Sequence, residues 1–334
     1  MPFSSFFDLC EQHLKVQPKR ILSADPAMCN LLVLSVVLFA VSGLPVKELK
    51  LSEYNGICEY RNLDSKVMTL LQIFGGSPAH SGQIPNQALL YYTSTDGVQY
   101  ICGGSVISAT HVLTAAHCVY DLVSGSVMAG GVSVQNTSSP REQWRAVSRV
   151  AAHSDYDISN NYIIDDIAVV EISSEFELNE NLKVATIVSD DEALLVEPTA
   201  VVSGFGIYKI ENKTGFHSNE LRYSEVDLFS LNYCNETWNG ALTTDTVICA
   251  GAAGRGIALG DSGGPIQVRY NGELVQIGIT CFGGDDMEGQ HNQDKVPALF
   301  TRVSKYCDFI GEATKGVVKC KNIPTTIAPP TTVF

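Results

Sequence analysis

Between residues 73 and 303 the chain runs through short segments in which apolar residues are continuous or alternate with polar ones: "QALLYYT", "GGSVIS", "HVLTAA", "IAVVEI", "TAVVSG", "GPIQVRY" and "LVQIGITCF". Clusters of Gly, Asn, Asp and Ser separate them. Runs of this length bury one or both faces of a strand, and the turn formers between them close hairpins. No long helical pattern intervenes, so the spacing predicts an all-β domain, a sandwich or a barrel. Only "SKYCDFIGEA", residues 304–313, has helical spacing, with Tyr306, Phe309 and Ile310 on one face. No internal repeat of fixed period is present.

The two ends read differently. "MCNLLVLSVVLFAVSG", residues 28–43, holds an apolar stretch of about a dozen residues behind Lys19 and Arg20, which is short for a membrane span and fits a secretory leader cleaved near Ser42 or Gly43. The residues before Met28 imply either that translation starts at Met28 or that the segment is an uncleaved anchor; secretion is the favoured reading, with no stable membrane insertion. Residues 1–43 are thus assigned to an N-terminal extension and leader. Residues 316–334, ending in "NIPTTIAPPTTVF", are Pro/Thr-rich and predict a flexible tail that could carry O-glycans. Removing the leader takes Cys10 and Cys29 and leaves eight cysteines, an even number suited to an oxidising compartment. Sequons at Asn136, Asn212 and Asn235 agree with export and glycosylation. The chain of 334 residues carries a net charge of −14, which argues against nucleic acid or anionic lipid as a partner.

"ALGDSGGPI", residues 258–266, places Ser262 in a glycine-rich turn. Gly and Asp favour such turns for backbone reasons alone, so a nucleophile there needs partners elsewhere. "LTAAHC" supplies His117 and "DDIAVVEI" supplies Asp165 and Asp166. An imidazole titrates near neutrality, so His117 can take the Ser262 proton and return it to a leaving group. A buried aspartate would hold the imidazole tautomer and stabilise the imidazolium. His13, His80, His111, His153, His217 and His291 lack such a setting and are expected at the surface or in loops.

With "IFGG" at 73–76, "CGGSVIS" from Cys102, "LTAAHC", "DDIAVV", "VICAG" and "GDSGGP" in the order His, Asp, Ser, the chain from Ile73 to about residue 313 resembles the chymotrypsin-like (trypsin-fold) serine proteases. The resemblance implies two six-stranded antiparallel β-barrels with the active site between them, a short C-terminal helix, and a division near residues 185–197. It assigns residues 73–315 to the protease domain and 44–72 to a propeptide. It makes His117 the general base, Asp166 the orienting acid and Ser262 the nucleophile, with the N–H groups of Gly260 and Ser262 as the oxyanion hole. Asp165 is left as a solvated loop acid. Disulfides Cys102–Cys118 and Cys234–Cys249 follow from the same resemblance. Ala200 and Val268 stand where one further bridge is common, and Ala258 where another begins. Cys58, Cys281, Cys307 and Cys320 remain, with three pairings open; a bridge from Cys58 to Cys307 or Cys320 is expected to keep the propeptide attached. Cys281 replaces a serine usual beside the aspartate, either as a small packing residue or as a tuned or redox-sensitive one.

The resemblance also bears on substrate and activation. Gly256 stands at the base of the primary specificity pocket, where an aspartate would select Lys or Arg; without that charge a substrate cation would be buried uncompensated. Ile257 narrows the floor while Gly283 and Ala298 leave the walls open, so an uncharged aliphatic or medium apolar preference is expected. An alternative lets Arg255 favour an acidic residue. The family's calcium-loop stretch offers only Glu142, so no metal and no other cofactor is expected. Cleavage between Gln72 and Ile73 would free an amino terminus to pair with Asp261, and Phe74 replaces the usual valine. Gln72 is not the usual basic residue, so an activating protease of another specificity is expected. The reading is a secreted serine endopeptidase made as a zymogen, with protein or peptide substrates and protease inhibitors as further candidate partners. Its alternative is a catalytically silent pseudoprotease that binds partners.

Overall fold

The computed structural model describes residues 73, 75–134, 141–156, 164–211, 214–238, 244–283, 289 and 291–322. The leader and propeptide segments, Cys58, Gln72, Phe74, Asn136 and Asn212 lie outside the described residues.

A two-residue strand β1 (Ser77–Pro78) leads into β2 (Gln87–Ser94), β3 (Gln99–Ser108), β4 (His111–Thr114), β5 (Leu122–Ala129), β6 (Gln143–Ala152) and β7 (Ala168–Ile172). The last six close into an antiparallel barrel in the order β2-β3-β4-β7-β6-β5. Val106, Val112, Leu113, Val127 and Val170 fill its interior, as the continuous apolar runs require of strands buried in a small barrel. Residues from the C-terminal end of the domain join this core: Val303, Tyr306 and Ile310 pack here.

The second half contains β8 (Thr186–Ile187), β9 (Thr199–Gly204), β10 (Ile207–Glu211), β11 (Thr214–His217), β12 (Arg222–Phe229), β13 (Val247–Gly251), β14 (Pro265–Tyr270), β15 (Glu273–Phe282) and β16 (Ala298–Arg302). Strands β9, β12, β13, β16, β15 and β14 pair in turn, and β14 returns to β9, which closes the second six-stranded antiparallel barrel. β1 and β8 extend its edges, and β10 with β11 forms a separate hairpin. The changeover is sharp: Ala185 N–H still donates to Val106 of the first barrel, whereas Thr186 already lies opposite Val275 of the second. It falls at the start of the expected division. Ala200 and Val268, at the positions of a missing bridge, are both buried in the second barrel's core.

Several expectations are corrected. The helix at the C-terminal end, α2 (Cys307–Ala313), is present behind a 3-10 turn (Val303–Tyr306), but an earlier helix, α1 (Leu231–Thr237), was not visible in the spacing. Its seven residues span barely two turns, too few for a periodic pattern, and the signal available was the cap: Ser230 Oγ accepts from Tyr233 N–H at 3.2 Å. Asn235 sits on this helix, partly buried. Cys307 pairs with Cys320, so each is the other's partner and neither is available to Cys58. That bridge, the buried Val318, and the pairing of Lys321 with residues 187–189 hold residues 316–322 on the domain, which the composition had placed in the tail. The other two disulfides are Cys102–Cys118 and Cys234–Cys249. His111 is buried on β4, with Ser108 Oγ and Thr110 Oγ1 each 2.9 Å from its Nδ1, and is not the surface residue expected.

Candidate active site

His117 lies in a 3-10 turn (Ala116–Cys118) directly after β4, and the Cys118 bridge to β3 pins that turn. Asp166 lies two residues before β7, and the register sets Thr114 opposite Ala168. Residues just past the paired ends of two neighbouring strands must meet. His117 Nδ1 is 2.7 Å from Asp166 Oδ2, and the His117 backbone N–H donates to Oδ1 at 2.9 Å. The carboxylate is fully buried and the imidazole 26% exposed, so part of the ring remains accessible. Burial alone would lower the His117 pKa, but the charge of Asp166 and the hydrogen bond to it outweigh burial and raise it above its usual value.

The second barrel braces Asp166 from behind. Thr301 Oγ1 donates to the Asp166 carbonyl at 2.9 Å. Cys281, buried and outside any disulfide, shares a hydrogen bond with the Asp166 side chain. Burial and that carboxylate push the Cys281 thiol pKa well above its usual value, so the S–H is retained and is the donor. A thiol donates more weakly than a hydroxyl. Asp165 is not a solvated acid: it takes a left-handed backbone at φ 57° and accepts the Tyr306 hydroxyl at 2.9 Å. His153 Nδ1 stands 4.0 Å from the same oxygen and accepts the Asp155 N–H at 3.3 Å.

Ser262 occupies a turn clamped between the barrels. Gly103 N–H from β3 donates to the Ser262 carbonyl at 2.6 Å, and Gly263 N–H donates to Thr280 on β15 at 2.8 Å. A methyl group on Gly263 would collide with Thr114 Oγ1 and lie 3.1 Å from the Ala115 nitrogen, so the turn presses on the segment that ends in His117. Gly260, at φ 96°, has the left-handed backbone that glycine adopts without strain. Among the described residues the N–H groups of Gly260 and Ser262 donate to no protein acceptor. Gly260 is buried and Ser262 partly exposed, and two donors left open in one turn can bind an external oxygen. His217, expected at the surface or in a loop, is exposed at the end of β11 beside this turn: a methyl on Gly260 would lie 3.1 Å from its Cε1.

The trypsin family model matches residues 73–310, most of the chain. The chain belongs to the trypsin family. It is 28% identical over 243 residues to chymotrypsin-like elastase family member 1 of Rattus norvegicus, covering 72% of this chain and 89% of that relative. To chymotrypsin-C of Bos taurus it is 29% identical over 246 residues, covering 72% and 88%. A solved collagenase structure superposes with a TM-score of 0.61 at 27% identity, covering 72% of this chain and 97% of the other.

The remaining family positions fall as follows. Asp261 is fully buried in a cradle where a methyl on Gly204 would strike its Oδ1 and one on Gly206 would lie 2.6 Å from its Cγ. Its oxygens accept from Gly206 N–H at 2.8 Å and Ala258 N–H at 2.9 Å. Burial nevertheless pushes its pKa up to about 7, because two amides offset only part of the lost hydration. Ile73 is 1% exposed and belongs to the second barrel's core, which also holds Val188, Leu194 and Ile257. Arg255 is exposed, and a methyl on Gly75 would lie 2.6 Å from its Cβ, which sets it against the start of the domain. Gly256 and Ile257 are buried, and a methyl on Gly283 would lie 3.3 Å from Ile257 Cδ1 and 3.9 Å from the Ala298 Cβ.

Proposed function

We propose that this trypsin-family protein is a secreted serine endopeptidase that acts through an acyl-enzyme. His117 Nε2 takes the Ser262 hydroxyl proton as Oγ attacks a peptide carbonyl, and gives that proton to the leaving amine. Asp166 keeps Nδ1 protonated, which directs the basic lone pair of Nε2 to Ser262. The developing oxyanion takes the open N–H groups of Gly260 and Ser262, donors that activation fixes in place. Water, activated by the same imidazole, then releases the acyl group. The observation that carries this reading is the 2.7 Å His117–Asp166 contact beside a turn with two unpartnered amides.

The zymogen reading rests on Asp261 and Ile73. Asp261 is a buried carboxyl group which, among the described residues, receives amides and no cation. Ile73 has φ 35°, a region that β-branched residues avoid. Cutting the bond before Ile73 removes that torsion and creates an ammonium on a residue of the second barrel's core, which the reading brings to Asp261. The reading therefore has cleavage between Gln72 and Ile73, by a protease that does not require Lys or Arg, lock the oxyanion turn. The leader profile, the even cysteine complement and the sequons support export.

The test is labelling with a fluorophosphonate probe, which needs an activated serine. Processed wild type is expected to take one label and Ser262→Ala none; an unlabelled processed wild type would leave the pseudoprotease reading standing. A second expected result concerns pH. Only neutral His117 accepts a proton, so kcat/KM should fall with acid through a pKa above the ordinary 6.5. Cys281→Ser supplies Asp166 with a stronger donor, draws charge from the imidazole, and should lower that limb by about a few tenths of a unit while kcat/KM changes by less than about tenfold. A rise in the limb would contradict the thiol's role as donor.

A further inference from the structure

Resting on the hydrolase reading above, we infer that Gln293 sets the depth of the primary specificity pocket by clamping Ile257 across it, so that the preferred residue before the scissile bond is short and aliphatic, alanine or valine, and aromatic or long side chains are excluded. Gln293 came from no motif and was not among the candidate pocket residues. It is 1% exposed, and its carboxamide reads the main chain of Ile257 on both sides. Nε2 donates to the Ile257 carbonyl at 2.7 Å and Oε1 accepts the Ile257 N–H at 3.2 Å.

The segment bearing Gln293 is itself laid against the pocket floor. Gly254 N–H donates to the His291 carbonyl at 2.7 Å, and Ala253 bridges to Asn292. Glycine at 251 and 256 is what allows this approach: a methyl on Gly251 would strike the Gln293 carbonyl, and one on Gly256 would strike Oε1. The position from which an acid would select a substrate cation is thus covered by a neutral carboxamide.

With its main chain held at both ends, Ile257 cannot withdraw. A methyl on Gly283 would lie 3.3 Å from Ile257 Cδ1, 3.6 Å from its Cγ1 and 3.9 Å from the Ala298 Cβ. Gly283, a wall position that looks open in the sequence, therefore faces the Ile257 side chain, and Ala298 lies beside Gly283. A β-branched side chain has few rotamers to escape into, and a substrate ring entering here would overpack a close-packed interior.

The experiment uses processed protein whose active fraction is counted by fluorophosphonate labelling, and peptide p-nitroanilides that differ only in the last residue: Ala, Val, Leu, Phe or Lys. Wild type should cleave after Ala or Val with kcat/KM at least about tenfold above Phe, the scale on which pockets discriminate by size. Ile257→Gly should raise the Phe/Ala ratio by about tenfold or more, and the milder Ile257→Val should raise the Leu/Ala ratio. Gln293→Ala, which frees Ile257 without enlarging it, should also raise Leu/Ala. Labelled wild type that prefers Phe or Lys, or variants with unchanged ratios, would overturn the inference. Absence of label strikes the hydrolase reading instead; the pocket is then read by equilibrium binding of peptides ending in Ala or Phe, and tighter binding of the Phe peptide would overturn it.

Discussion

Asp166→Asn is expected to lower kcat of the processed protein by about 10⁴-fold with little change in KM. Asp166 accepts at both oxygens, from the His117 ring at 2.7 Å and from its backbone N–H at 2.9 Å. An asparagine has one acceptor oxygen. If that oxygen stays with the backbone N–H, the amide NH₂ faces Nδ1 and forces it to be the acceptor, which puts the proton on Nε2. An imidazole that presents Nε2–H to Ser262 cannot take its proton. The fold should survive, because the Thr301 bond goes to the Asp166 carbonyl and is untouched. Steady-state kinetics with circular dichroism decides the matter: a loss under tenfold in a folded variant would remove Asp166 from the mechanism. Loss of the charge that raises the His117 pKa should also lower the acid limb of whatever activity remains.

Asp261→Asn is expected to cost the processed protein two to three orders of magnitude in kcat/KM. Breaking a buried ion pair by removing one partner costs about 3–5 kcal/mol, and here that energy would hold the turn carrying Gly260 and Ser262. In the uncut chain the same substitution should have little effect on activity, since no ammonium is present to lose. The contrast between cut and uncut forms separates a role in activation from a general packing defect. N-terminal sequencing of active protein completes the test: full activity with residues before Ile73 still attached, or a fully active Asp261→Asn variant, refutes the mechanism. The uncut chain also has a pH signature. With its folded pKa raised to about 7, Asp261 is protonated in the fold at pH values where the unfolded carboxyl is already ionised. Its contribution to stability is therefore complete below the unfolded value near 3.8 and is lost as pH rises towards 7.

The sequence by itself determined the fold class and singled out a candidate site. Apolar runs of strand length, separated by turn formers, admit no other economical burial than a β-structure, and they became the strands of two barrels. His117, Asp166 and Ser262 could be picked out because each sits in a local motif whose chemistry is incomplete without the others. Two disulfides, Cys102–Cys118 and Cys234–Cys249, followed from the family resemblance alone.

What tertiary structure decided is what depends on residues distant in the chain. Cys307 pairs with Cys320 because residues 320–322 return to lie along 187–189, and no cysteine count chooses among three pairings. His111 looked like a loop residue until the register of β4 against β7 placed it opposite Glu171, inside the sheet. Asp165 looked solvated because the Tyr306 hydroxyl that binds it lies 141 residues away. Gln293 was invisible for the same reason: a glutamine in a polar stretch carries no signal, and its meaning comes only from Ile257, 36 residues earlier in the chain, and from Gly251 and Gly256 before it. Local pattern specifies which face of a segment is buried, whereas the partner of a buried polar group is chosen by chain crossings that the pattern does not encode.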